Sequence, residues 1–176
     1  MEENVTSCKK FANFAKPRKA LWKMVKFIGE HTVKIDDKGR VIFPSQFKSL
    51  FDPEARLLFV VKRDLYANCL QMFTWEEWEK ESEHVKSRLN FFDEDHARLW
   101  RDYMRNRAIV EPDGKLGRIT IPKNLLSSIG VDREKGVKEV VFVGSDHKIE
   151  IWSKENYEAA AMPQADFVSL AKKILG

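Results

Sequence analysis

Arg40 and Arg118 stand in matching surroundings: each directly follows a glycine, Gly39 or Gly117, and each leads into a strand-forming triplet and a proline, Val41-Ile42-Phe43-Pro44 and Ile119-Thr120-Ile121-Pro122. Glycine takes the positive φ that a tight reversal needs, so an arginine placed immediately after it projects from the tip region of a strand. A cation held this way on two equivalent units is suited to gripping neighbouring phosphates or guanine edges. Lys34, Lys38, Lys115 and Lys123 lie close in sequence to the same tips. The same residues also admit a purely structural role, in which Arg40 pairs with Asp36 or Asp37 to hold its turn, and the residues alone leave both roles open.

Other reactive chemistry has little to build on. The four histidines, His31, His84, His96 and His147, are scattered. Only Glu83-His84 and Asp95-His96 resemble half of a metal site, and solvated helix faces explain them better because no further ligand stands at useful spacing. There is no phosphate-cradling glycine loop, nucleophile elbow or paired catalytic motif. Cys8 and Cys69 are too few for a disulfide framework or a metal cluster and read as free thiols. The expectation is a non-enzyme with no catalytic residues, no metal and no cofactor.

The elements that must position the two arginines are themselves duplicated. The Lys38–Phe47 stretch returns 78 positions later as Leu116–Leu125, and Leu70–Trp78 returns 79 positions later as Ile149–Tyr157. Two blocks at nearly one offset define a repeated unit. In the first unit, Thr32-Val33-Lys34-Ile35 alternates, Asp36 to Gly39 supplies turn chemistry, and Val41 to Phe43 is β-rich, which predicts a hairpin or strand-turn-strand. Pro44 suits the first position of a short helix carrying Phe47, Leu50 and Phe51. Strands are expected at Leu57 to Val61 and at Cys69 to Phe73. Thr74 and Glu77 form a capping box for a helix with Trp75, Trp78, Ser82, Val85 and Leu89 on one face.

Asp93-Glu94-Asp95 opens a second helix that gathers arginines toward its end, in keeping with the helix dipole. The second unit repeats the first: a strand from Ala108, a turn at Asp113 to Gly117, a strand Ile119 to Ile121, a helix from Pro122, then strands at Glu139 to Val143 and Lys148 to Trp152. Ser153 caps a further short helix. Phe167, Leu170, Ala171, Ile174 and Leu175 form the stripe of a final amphipathic helix expected to pack on the body. The divisions are a basic tail at 1–23, a first repeat at 24–80, a helical connection at 81–107, a second repeat at 108–160 and a C-terminal helix at 161–176.

Charge is unevenly distributed along the 176 residues. The chain carries 31 Lys and Arg against 27 Asp and Glu, a formal net charge of +4. Residues 1–26 hold seven of the basic groups and two of the acidic ones, leaving 24 basic and 25 acidic groups on the rest. A nucleic-acid surface on this nearly neutral body must therefore be local. The tail, broken by Pro17, is expected to be disordered or only locally helical, and Met24 is an alternative start. No apolar run approaches the ~20 residues of a membrane span, so the chain reads as cytosolic, with no membrane partner.

Gly29-Glu30, the run Asp36-Asp37-Lys38-Gly39-Arg40-Val41-Ile42-Phe43-Pro44, the run Gly117-Arg118-Ile119-Thr120-Ile121-Pro122, and Glu139 to Gly144 with Glu150-Ile151-Trp152 together resemble MraZ, the tandem-repeat branch of the AbrB-like swapped-hairpin proteins. The resemblance spans residues 24 to 160 and joins several motifs in order. It implies an α+β fold: a duplicated swapped-hairpin β-barrel core with pseudo-two-fold symmetry, flanked by helices. It also implies a transcriptional regulator that contacts direct repeats in promoter DNA of the division and cell-wall gene cluster, assembled as a ring-shaped homo-oligomer and nucleoid-associated.

The family's Asp-x-x-x-Arg signature falls on Asp36 and Arg40 in the first repeat. In the second, Gly114 occupies the aspartate position and Asp113 lies one residue earlier, where a bulge could restore the carboxylate. The implied DNA-binding residues are Arg40, Arg118, Lys38, Lys115 and Lys34. Asp36, Gly39, Asp113 and Gly117 orient the hairpins. The rival reading is a scaffold protein using Trp75, Trp78, Trp100 and Trp152 as a partner surface, although each lies on a predicted apolar face or strand and suits core or subunit packing better.

Overall fold

A computed structural model describes residues 25–113, 117–132 and 139–176. The first half contains β1 (Phe27–Lys34), β2 (Arg40–Ile42), α1 (Ser45–Lys48), β3 (Phe59–Arg63), β4 (Leu70–Thr74) and α2 (Trp75–Ser87). After α3 (Glu94–Met104), the second half contains β5 (Ala108–Val110), β6 (Arg118–Thr120), α4 (Lys123–Ser128), β7 (Glu139–Asp146), β8 (Lys148–Ser153) and α5 (Lys154–Ala159), followed by α6 (Gln164–Leu175). This is a mixed α+β fold built on an antiparallel sheet.

Side-chain caps set several helix starts. The Thr74 hydroxyl accepts from the Glu77 amide at 3.3 Å, Ser153 Oγ accepts from the Asn156 amide at 3.2 Å, and the Asp93 carboxylate accepts from the amides of Asp95 and His96. Each satisfies an amide that the first helical turn leaves without an intrahelical partner. Pro44 and Pro122 sit one place earlier than expected, as the residues preceding α1 and α4.

Strand pairing crosses between the halves. The main sheet has the order β1-β7-β8-β4-β3-β5, and β2 pairs with β6 in a separate two-stranded ribbon. β1 therefore runs beside β7 of the other half, from Phe27↔Asp146 to Lys34↔Glu139, while β5 runs beside β3. Of the two forms anticipated for residues 32–43, the outcome is strand-turn-strand: among the described residues β1 and β2 share no ladder, and an isolated Ile35↔Val41 bridge joins the segments beside the turn.

The principal core draws on both halves. It includes Phe27, Phe43, Phe47, Phe59, Leu70 and Met72 from the first, with Ile119, Ile121, Leu125, Leu126, Phe142 and Ile151 from the second. Burying one such side chain contributes roughly 1.5–3 kcal/mol, and the phenylalanines add edge contacts, with Phe27 and Phe47 centroids 5.5 Å apart. On a second surface of the sheet, Val60 and Phe73 meet Trp78 of α2 and Tyr103 of α3. The Lys62 ammonium is buried there, 5.1 Å from the Tyr103 ring centroid, with the Arg107 guanidinium 4.1 Å from the same ring. Burial lowers the Lys62 pKa to about 8.

One expectation is corrected: α6 does not pack on the body. None of its residues is buried, and Phe167, Leu170, Ile174 and Leu175 remain exposed. The physical reason is that, among the described residues, the three buried clusters are filled by residues no later than Tyr157, so the apolar stripe of α6 adds to none of them. Among the described residues, no helix is long and apolar enough to cross a membrane. The tail at 1–23 and Cys8 lie outside the described residues. Cys69 is a buried free thiol whose pKa burial pushes up to about 12.

Candidate nucleic-acid interface

The first tip is a tight turn in which the Gly39 amide donates to the Asp36 carbonyl at 3.0 Å and the Asp36 amide donates to the Arg40 carbonyl at 2.9 Å. Gly39 has φ +78 and Gly117 has φ +61, a conformation that costs a side-chain-bearing residue steric strain. That requirement explains the glycine before each arginine.

Asp36 organises this turn with both carboxylate oxygens. Oδ1 accepts from the amides of Lys38 and Arg40, each at 2.9 Å, and Oδ2 accepts from Arg40 Nε at 2.6 Å. The amide bond from Arg40, with the guanidinium and the Lys38 amide, holds the Asp36 pKa down at about 2. The carboxylate is therefore ionised throughout the neutral range. Because it takes only Nε, the two terminal nitrogens of Arg40 have no partner among the described residues and form an open two-pronged edge. The guanidinium is thus oriented through one edge.

The second tip copies the backbone but not the side-chain contact. The Asp113 amide donates to the Arg118 carbonyl at 2.7 Å, the bond that Asp36 makes to Arg40. Asp113 thus takes the backbone place of Asp36, with one extra residue in the loop, while Gly114 and Lys115 lie outside the described residues. Among the described residues, no hydrogen bond or ion pair joins the Asp113 carboxylate to the Arg118 guanidinium.

The ribbon brings the two arginines to one face. In β2–β6, Arg40 stands opposite Thr120, Val41 opposite Ile119 and Ile42 opposite Arg118. Directly opposed residues of an antiparallel pair project to the same side, and alternate residues of one strand share a side. Val41 and Ile119 point into the core, at 1% and 0% exposure. Arg40, Ile42, Arg118 and Thr120 therefore form the outer face, with the arginines at diagonal positions, a spacing of roughly 7–8 Å for such a pair and somewhat less between Cβ atoms.

The lysines divide. Lys38 is exposed in the first turn. Lys34 is exposed on β1, opposite Glu139, and so belongs to the main sheet and not to the ribbon. A residue that sequence reasoning missed is Lys48: a Cβ on Gly117 would lie 3.4 Å from both Cδ and Nζ of this lysine, so its stem runs past the second tip. The signal was present in the repeat, since 78 residues on stands Leu126, a buried core residue. A lysine where the copy has a core leucine marks a position with another task.

Trp78 and Trp152 are buried, at 7% and 8% exposure, and Trp75 and Trp100 are partly covered by the same clusters. They are thus packing residues more than a free partner surface. His96 Nδ1 accepts the Asn90 amide at 2.9 Å, a local structural bond. Among the described residues, no group of three or more His, Cys, Asp or Glu side chains could hold a metal ion.

Residues 26–102 and 104–172 match a protein-family model described as "MraZ protein, putative antitoxin-like". The chain is 32% identical over 152 residues to a protein of Bacteroides fragilis, covering 86% of this chain and 92% of that one. It is 32% identical over 154 residues to a protein of Christiangramia forsetii, covering 87% and 95%, and 38% identical over 143 residues to one of Lachnoclostridium phytofermentans, covering 81% and 92%. Each of the three is named Transcriptional regulator MraZ.

Proposed function

The chain belongs to the MraZ family, and from that membership we propose that it is a transcriptional regulator whose β2–β6 ribbon binds double-stranded DNA. The observation that carries this reading is the placement of Arg40 and Arg118 on one outward ribbon face, with Asp36 aiming the first of them. A major groove about 12 Å wide admits a two-stranded ribbon, and an arginine fork matches the O6 and N7 acceptors of guanine or two phosphate oxygens. Lys38 adds charge beside the first tip, and Lys115, which lies outside the described residues, is assigned the same task from its place in the second repeat's sequence. Lys34 acts from farther away on the main sheet.

The register supports a swapped-hairpin barrel with pseudo-two-fold symmetry. Shifting each residue of the Arg40↔Thr120 pair by 78, in opposite directions, yields the Arg118↔Ile42 pair. The Phe43 amide donates to the Gly117 carbonyl and the Ile121 amide to the Gly39 carbonyl, again one bond and its shifted counterpart. The main sheet behaves likewise: exchanging β1 with β5, β3 with β7 and β4 with β8 reverses its order without altering it. On this reading the repeats are 24–80 and 108–160, interleaved and not side by side.

A body with nearly balanced charge gains little from bulk electrostatics, so a few ribbon cations per subunit need multiplication. A ring-shaped homo-oligomer on direct repeats supplies it, since linked sites raise avidity without new contacts. The uncovered stripe of α6 and the exposed Phe91, Phe92 and Leu99 around α3 suit subunit packing. The target is promoter DNA of the division and cell-wall gene cluster, and the protein works in the cytoplasm on the nucleoid.

A mobility-shift titration tests this on a fragment from upstream of the chain's own gene. Arg40→Ala combined with Arg118→Ala abolishes the shift while the thermal melt stays that of the parent. Unchanged binding by the folded double variant would overturn the assignment.

A further inference from the structure

We propose that Ile42 is a specificity-determining residue that reads the C5-methyl groups of thymine beside the base or phosphate held by Arg118, and that Thr120 is its weaker counterpart beside Arg40. The assignment rests on the ribbon reading above and extends it from where the DNA lies to which base edges are sensed.

The ribbon's outer face carries four side chains, two arginines and the pair Ile42 and Thr120, which occupy equivalent places 78 residues apart. Ile42 is 51% exposed, although its neighbours Val41 and Phe43 are buried to 1%. Leaving a large aliphatic group in water between two cations has no benefit for the isolated fold. On a face whose cations select a polyanion, the apolar surface complementary to it is the thymine methyl, the one aliphatic group that B-DNA presents in its major groove. Direct opposition of Ile42 to Arg118 places the apolar group and the guanidinium side by side, so one half of the ribbon can sense adjacent base pairs by two chemistries. Thr120, opposite Arg40, offers one methyl and a hydroxyl and so discriminates less. The two halves of the ribbon are thereby unlike readers, and the protein prefers one orientation on an asymmetric site.

The test is a fluorescence-anisotropy titration at fixed salt with two versions of the upstream fragment, one natural and one with every thymine replaced by deoxyuridine, which lacks the C5-methyl. The parent protein binds the deoxyuridine version about fourfold more weakly for each methyl covered, the factor that the transfer free energy of one methyl group corresponds to. Ile42→Ala weakens binding to the thymine version and binds both versions equally, while Thr120→Ile widens the ratio. Because both positions are exposed, the variants keep the parent melting temperature. A parent ratio near one, or the same ratio in Ile42→Ala, overturns the proposal. An altered mass in light scattering with an unchanged ratio assigns Ile42 to subunit packing and overturns it too. The Arg40→Ala, Arg118→Ala variant separates the two levels. If it still binds, the ribbon reading falls and takes this proposal with it; if it does not bind and the ratio is insensitive to Ile42, only the thymine assignment falls.

Discussion

Replacing Arg40 with alanine is expected to weaken DNA binding more than replacing Arg118, because the two guanidinium groups begin from different states. Arg40 is already held through Nε by Asp36 at 2.6 Å, whereas no side chain among the described residues restrains Arg118. Immobilising a long, rotamer-rich side chain at an interface costs about 0.5–1.5 kcal/mol. Arg118 meets that cost on binding and Arg40 has met it on folding, so the net contribution of Arg40 is larger by about 1 kcal/mol, or roughly fivefold in affinity. A second effect acts in the same direction, since Arg40→Ala leaves the Asp36 carboxylate facing the phosphates without its cation. The assay is fluorescence anisotropy on the upstream fragment at one salt concentration, with both single variants measured in the parent and in an Asp36→Asn background. The asparagine side chain keeps an oxygen for the turn amides but loses the charge that aims Arg40. The expected outcome is a penalty for Arg40→Ala about fivefold or more above that for Arg118→Ala in the parent, shrinking toward equality beside Asp36→Asn. Equal penalties in the parent, or a difference that survives Asp36→Asn, would refute the reasoning.

Three further outcomes concern the rest of the molecule. Lys62 is lowered from 10.5 to about 8 by burial, so between those values the unfolded chain binds the proton that the folded chain has lost, and stability rises with pH there by up to about 3 kcal/mol. Urea midpoints across pH 7 to 10 in the parent and in Lys62→Met measure this rise as the difference between the two profiles, since the raised Cys69 thiol lowers stability above pH 9 in both; Lys62→Met should raise the pH 7 midpoint and remove the rise. Trp78→Ala, which empties a buried site stacked at 6.1 Å on Tyr103, should cost about 3–5 kcal/mol in a denaturant titration. Deleting residues 164–176 should leave that titration within about 0.5 kcal/mol of the parent, because α6 buries no side chain, but should lower the assembled mass in light scattering.

Local features were legible in the sequence where one residue type answers one local need. Thr74, Asp93 and Ser153 announce helix starts because their oxygens reach the orphan amides of the first turn. Gly39 and Gly117 announce reversals because the backbone there has positive φ. Partner choice was not legible. The alternation in Thr32 to Ile35 marks a strand but does not say that β1 lies beside β7, since that pairing depends on packing between residues more than 100 positions apart. The stripe on α6 shows that a face seeks cover without saying whose surface provides it.

The candidate site divides in the same way. Asp36 and Arg40 are four residues apart and their contact belongs to one turn, so the sequence narrows the partner of Arg40 to Asp36 or Asp37 and the family signature singles out Asp36. Lys48 reaches Gly117 across the junction of the two halves, and only the fold brings them together. Asp113 is an intermediate case: its backbone bond to Arg118 follows the repeat, but among the described residues no side-chain bond between the two accompanies it.

The central claim is that the outer face of the β2–β6 ribbon meets DNA. Site-specific photocrosslinking tests it most directly, with a benzophenone amino acid introduced at Thr120 on that face and, separately, at Phe92, which is fully exposed between α2 and α3. Irradiation with the upstream fragment should yield a protein–DNA adduct from position 120 that excess unlabelled fragment abolishes, and none from position 92. An adduct from position 92 with none from position 120 would contradict the account.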